Sequence, residues 1–183
     1  MQGRKNIFIV LITIFIVTMA TSTNAQDLEG QGYIVKTGEV APDFTVMLDN
    51  GTLWTLSEHR GEVIMLQFTA SWCGVCRKEM PHIEKEIWQL HKDKPFTLIG
   101  VDIDEPMEKV IHFKEKMNIS YPLALDPGSK VFQKYAETTA GVTRNVIINT
   151  QGEIVYLTRL FDMKEFSAMK EIIQNLLIDK NKE

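Results

Sequence analysis

The stretch that most constrains this chain is Val63-Ile64-Met65-Leu66-Gln67-Phe68, a nearly unbroken apolar run that leads directly toward Cys73-Gly74-Val75-Cys76. Such a run predicts a strand buried on both faces, at the centre of a sheet covered above and below. From Cys73 to about His91 the pattern changes: Met80, Ile83, Ile87 and Leu90 recur at helical spacing. The two cysteines therefore sit where a buried strand passes into a helix, with Pro81 expected to kink that helix. They are the only cysteines in 183 residues. Two are too few for a disulfide-stapled scaffold or a four-thiolate zinc site, and enough for one dithiol pair.

The rest of the chain supplies a frame for that junction. Phe44, Val46 and Leu48 alternate with Thr45 and Met47, and Asp49-Asn50-Gly51 turns the chain toward Leu53-Trp54-Thr55-Leu56, which together predict a small hairpin. Phe96 to Val101 predicts a second buried strand, and Met107 to Met117 a helix burying Val110, Ile111 and Phe113. Tyr121 to Leu125 reads as a short strand and Val131 to Ala136 as a short helix. A hairpin follows from Val146–Asn149 and Ile154–Leu157 around Thr150-Gln151-Gly152-Glu153, then an amphipathic helix from about Lys164 to Ile178. Strands alternating with helices and ending in a hairpin predict an α/β class with a mixed sheet. Trp54, Trp88 and the nine methionines are expected to fill the core.

At a helix N-terminus, unpaired N–H groups and the helix dipole favour an anion, so the Cys73 thiol should ionise below its free value of about 8.5. Cys76, one turn further in, is close enough to form a disulfide and expected to be more buried. The arrangement suits thiol–disulfide exchange, with Cys73 attacking and Cys76 resolving. A metal site is the competing reading, since CxxC is also half of a zinc site; only His59, His82, His91 and His112 offer imidazoles. The strand–turn–helix setting favours redox chemistry.

The N-terminus places that chemistry. Arg4 and Lys5 precede an apolar run from Ile7 to Ala20, and Thr21-Ser22-Thr23-Asn24-Ala25 follows, the layout of a secretory signal cleaved after Ala25. Fourteen helical residues would rise only about 21 Å, so a cleavable signal is expected rather than an N-terminal membrane anchor. The domain plan is a signal peptide at 1–25, a loosely structured lead-in at 26–37, one domain at 38–178 and a frayed tail at 179–183. The full chain has a net charge of −4. Losing Arg4 and Lys5 leaves 18 basic against 24 acidic residues, a net of −6, which argues against nucleic-acid binding. Outside the cytosol a cysteine pair stays oxidised unless something reduces it.

Val40-Ala41-Pro42-Asp43-Phe44, Arg60-Gly61 before the buried strand, Ala70-Ser71-Trp72-Cys73-Gly74-Val75-Cys76 and then Pro81 together resemble the TlpA/ResA-like thioredoxin family, over roughly residues 38–178. The resemblance implies a thioredoxin fold: a mixed central sheet flanked by helices, with an N-terminal β-hairpin and an insert after the active-site helix. It implies a periplasmic or otherwise extracytoplasmic thiol–disulfide oxidoreductase with no cofactor beyond its redox-active disulfide. Cys73 would be the exposed nucleophile, Cys76 the resolving thiol and Trp72 an exposed rim. Its partners would be disulfide-bearing protein substrates and a membrane thiol electron donor.

Three more positions follow from the resemblance. A glutamate after the second core strand is expected to tune the cysteines, with Glu105 in Val101-Asp102-Ile103-Asp104-Glu105 the best match; the alternative is a plain helix start before Pro106. Where the family usually carries a cis-proline, Gly141-Val142-Thr143-Arg144 has Thr143, so the bond before it is expected to be trans, since a non-proline cis bond costs about 2.5–4 kcal/mol. Arg144 is expected beside Cys73 as in peroxiredoxins, or else as a surface arginine. That arginine motivates a peroxiredoxin-like peroxide reductase as the second reading, and a copper-binding or metal-delivery protein is the third.

Overall fold

A computed structural model describes residues 31–179. The signal peptide, its cleavage point and the charged tail beyond residue 179 lie outside the described residues. Seven strands form one sheet in the order β2-β1-β5-β4-β3-β6-β7. The buried run is β3 (Val63–Thr69), every residue of it inaccessible, paired in parallel with β4 (Phe96–Ile103) and antiparallel with β6 (Arg144–Ile148). β4 continues in parallel to β5 (Leu123–Asp126). The hairpin β1 (Thr45–Leu48) and β2 (Leu53–Thr55) adds to β5, and β7 (Ile154–Arg159) closes the far edge on β6.

Helix α1 (Gly74–Ile83) carries the second cysteine and runs through a π-helical turn (Glu84–Trp88) into a last turn, α2 (Gln89–His91). The wide turn begins three residues after Pro81. Proline takes an N–H out of the i−4 ladder, and such ladders commonly recover through a π-bulge. α1, α3 (Met107–Met117) and α5 (Met163–Asp179) cover one face, where Met80, Ile83, Val110, Phe113, Phe166 and Met169 meet the sheet. The other face is covered by the lead-in, Phe44, Trp54 and the short α4 (Phe132–Tyr135). The segment expected as an insert after the active-site helix is α3 with β5, which follow β4.

Two expectations change here. Ile111 is 39% exposed rather than buried, because α3 presents only Val110 and Phe113 to the sheet. The lead-in is not loose from residue 31 onward. Tyr33 bridges to Ala136, its hydroxyl donates to Thr158 O (2.6 Å) and Asn145 O (3.1 Å), and Ile34 N donates to Tyr135 O. Among the described residues no helix is long and apolar enough to cross a membrane.

Candidate active site

The site forms where β3 ends, α1 begins and β6 enters the sheet. Cys73 and Cys76 are joined in a disulfide with Cα atoms 5.3 Å apart. Cys73 is the N-cap of α1, and its sulfur accepts from Cys76 N at 3.2 Å. That contact would serve a Cys73 thiolate equally well, which is how a helix N-terminus activates a thiol. Cys76 is fully buried, and Cys73 is itself only 8% exposed, so its expected exposure is corrected. Trp72, the residue before Cys73, is 60% exposed, as expected.

The described residues contain no cis peptide bond, so Val142–Thr143 is trans as expected. Thr143 still faces the pair: its Oγ1 lies 3.2 Å from both sulfurs. Arg144 does not. Strand residues alternate between faces, so Thr143 and Asn145 point toward α1 while Arg144 points to the opposite face. There its Nε donates to Gly141 O (3.0 Å), its Nη2 to Gln31 O (2.6 Å), and its guanidinium lies 4.4 Å over the Tyr33 ring. It is neither beside Cys73 nor on the surface but 1% exposed, which removes the feature that motivated the peroxide reading.

Glu105 is buried and joins the site through the loop before the cysteines. Its carboxylate accepts from Ser71 N (2.6 Å) and Ser71 Oγ (2.7 Å) and pairs with Lys109. Burial opposes its ionisation, but the bonds from Lys109 and Ser71 outweigh this and hold its pKa below the usual value. It thus fastens Ser71, two residues before Cys73. Asp102, inaccessible near the end of β4, is pushed up to about 8 by burial and then by the neighbouring Glu105 charge. As a carboxylate Asp102 finds no donor for either oxygen; protonated, it can donate to Glu105. Glu105→Gln should therefore let the Asp102 pKa fall from about 8 toward the ordinary range. A carboxyl-carbon NMR titration reads this directly, and an unmoved Asp102 would mean that the two groups are uncoupled.

The residue that sequence reasoning missed is Glu79. It lies one turn beyond Cys76 on the same buried face of α1, 1% exposed. Its Oε1 accepts from Asn145 Nδ2 at 2.7 Å, and Asn145 also donates to Thr158 Oγ1. Burial pushes its pKa up to about 7 despite the bond from Asn145, while Glu79 Oε2 and the neighbouring Gln67 Nε2 both lack a hydrogen-bond partner. Gln67 is held in turn by Tyr121 Oη at 2.7 Å. The signal was present: a glutamate on the apolar stripe Cys76, Met80, Ile83 and Ile87 is out of place unless it is used.

Residues 37–157 match the AhpC/TSA family. The chain belongs to the AhpC/TSA family. Among its relatives, thiol-disulfide oxidoreductase ResA of Bacillus cereus is 26% identical over 155 residues, 85% of this chain and 88% of the relative. ResA of Halalkalibacterium halodurans is 28% identical over 156 residues, 85% and 87% respectively. The solution structure of a proposed protein disulfide isomerase from Bacteroides thetaiotaomicron is 57% identical, with a TM-score of 0.78 over 80% of this chain and 92% of that one. A proposed thiol:disulfide interchange protein DsbE from Chlorobium tepidum is 25% identical, with a TM-score of 0.69 over 78% and 99%.

This AhpC/TSA-family protein carries a thioredoxin fold, and its cysteine pair is built for exchange. The Cys73 sulfur accepts from the Cys76 N–H and meets the Thr143 hydroxyl, and Cys76 is fully buried one turn before Glu79 on α1. Among the described residues no cluster of three His, Cys, Asp or Glu is placed to hold a metal ion.

Proposed function

We propose that the protein reduces disulfides of exported partner proteins outside the cytosol and is itself re-reduced by a membrane thiol donor. Its class is thiol–disulfide oxidoreductase, as its ResA relatives and its redox-active Cys73–Cys76 pair agree. In the proposed direction the Cys73 thiolate attacks one sulfur of a substrate disulfide. That S–S bond breaks, the substrate's other sulfur leaves as a thiolate and takes a proton, and a mixed disulfide forms. Cys76 then loses its proton to Glu79, attacks the Cys73 sulfur and releases the second substrate thiol. The substrate gains two electrons and two protons, and the protein is left with its Cys73–Cys76 disulfide.

The observation that carries the direction is the buried Glu79 carboxyl, one turn along α1 from Cys76. Its charge disfavours a thiolate at Cys76, and destabilising the reduced pair lowers its potential, the property of a reductant. The secretory pattern before Ala25 supports the compartment. A Cys76→Ala variant expressed with its natural leader should accumulate disulfide-linked adducts on Cys73, recovered from the periplasm and identified by mass spectrometry. The couple should also have a midpoint potential well below that of the ER isomerases, which is about −180 mV. A potential near about −120 mV would reverse the assignment to an oxidant. An absence of Cys73 adducts would remove protein disulfides as substrates.

A further inference from the structure

The Arg144 side chain joins two backbone segments distant in sequence. Its Nη2 donates to Gln31 O on the N-terminal strap, and its Nε donates to Gly141 O in the loop that leads to Thr143. The strap is itself fixed. Gly32 O accepts from Glu137 N, Ile34 N donates to Tyr135 O, and the Tyr33 hydroxyl reaches two carbonyls at the ends of β6 and β7. Gly32 has φ +79°, and a Cβ there would lie 2.8 Å from both Ala140 Cβ and Arg144 Nη2, so strap, loop and arginine are in close contact. On the other side of β6 the same loop delivers Thr143 Oγ1 to both sulfurs, and Leu160 N fastens Thr143 O at 3.0 Å.

We propose that Arg144 is a positioning residue: by tying Gln31 to Gly141 it holds the Val142–Thr143 loop so that the Thr143 hydroxyl stays between the cysteines. A proline at position 143 would stiffen this loop through its ring and offer no donor; the clamp stiffens it from behind and leaves a hydroxyl to face the sulfurs. When the pair is reduced, Thr143 donates to the Cys73 thiolate and favours it. The guanidinium fork suits the task, since it reaches two carbonyls at once and stacks on Tyr33. The charged groups that face Arg144 are Arg159 on β7 and Glu137 before the loop, while Glu79 and Glu165 act on Tyr33.

The inference depends on the proposed reaction only in taking Cys73 as the attacking thiol, and its test reads the reduced pair, whatever the substrate. The Cys73 pKa is measured on the full exported chain from the pH dependence of alkylation, with the modified residue verified by mass spectrometry. Arg144→Met and Thr143→Val should each raise it by about one unit, roughly tenfold less thiolate at a fixed lower pH. Combined, they should raise it no further than either alone. Arg144→Lys should also raise it, because one ammonium cannot replace the fork. Gly32→Ala, which disturbs the strap and leaves every site residue intact, should reproduce the shift and speed hydrogen exchange at the Leu160 amide. Two additive shifts would overturn the proposal, and so would a wild-type value in Arg144→Lys, which would mean that charge alone acts. If Arg144→Met fails to fold, Gly32→Ala decides: an unchanged Cys73 pKa in that variant sinks the clamp.

Discussion

Replacing Glu79 with Gln should make the folded protein more stable at pH 8 than at pH 5 relative to the native chain, by about 3 kcal/mol. Burial raises the Glu79 pKa in the folded state from the ordinary 4.5 to about 7. Between those values the folded chain holds a proton that the unfolded chain has released. Native stability therefore falls as pH rises through this window, and the loss is complete above pH 7. Glutamine keeps an oxygen for Asn145 and never ionises, so its stability should not follow that course. Denaturant unfolding of the oxidised proteins at pH 5, 6, 7 and 8 measures the difference, and parallel curves would mean that Glu79 does not titrate near neutrality. The same variant should slow the resolving step by about 10²-fold at pH 7, because a positioned base for Cys76 is lost. Single-turnover release from a preformed Cys73 mixed disulfide isolates that step from substrate attack.

Gly100→Val should cost about 3 kcal/mol and lower the melting temperature by about 10 °C. Gly100 lies within β4, where a Cβ would stand 2.4 Å from Leu123 Cδ2, 3.3 Å from Tyr121 Cε2 and 3.6 Å from Gln67 Oε1. Leu123 and Tyr121 are both inaccessible, so neither can swing aside into solvent. Valine adds two methyl groups beyond that Cβ. Pushing Tyr121 aside also loosens its bond to Gln67 and, through Gln67, the polar contact to Glu79. The variant should thus combine a stability loss with a shifted pH profile for resolution. Thermal unfolding followed by circular dichroism tests the first part, and a melting temperature within about 2 °C of the native value would show that the core yields without strain.

These predictions rest on residues of unequal visibility in the sequence. β3 was legible because seven buried positions in a row leave few alternatives for a short apolar run. Cys73 and Cys76 were legible because a strand-to-helix junction gives spacing a geometric meaning: the first cysteine falls at the N-cap and the second one turn inside. The α3 boundaries, Met107 and Met117, also matched, but Ile111 did not, since a helix against a sheet buries a narrower stripe than apolarity alone suggests.

The supporting residues divide along the same line. Thr143 and Arg144 are adjacent in sequence, and the family resemblance leads to both being expected at the cysteines, with a surface position as the alternative for Arg144. The alternation of β6 sends them to opposite faces, one to the sulfurs and the other to Tyr33 and Gln31. Glu105 was found, yet its task is to hold Ser71, because the ends of β3 and β4 bring those two residues together in space. Glu79 was passed over, as a charged residue in a helix is usually a solvated one.

By itself, then, the sequence determined the α/β frame and one dithiol pair at a strand-to-helix junction, both of which follow from patterns local to a strand, a turn and a helix. Only the tertiary structure decided which carboxyl groups lose water, which face Arg144 takes and what lies opposite the sulfurs. Those are contacts between residues 30 to more than 100 positions apart, and their energies come from burial and directed hydrogen bonds that no local spacing encodes.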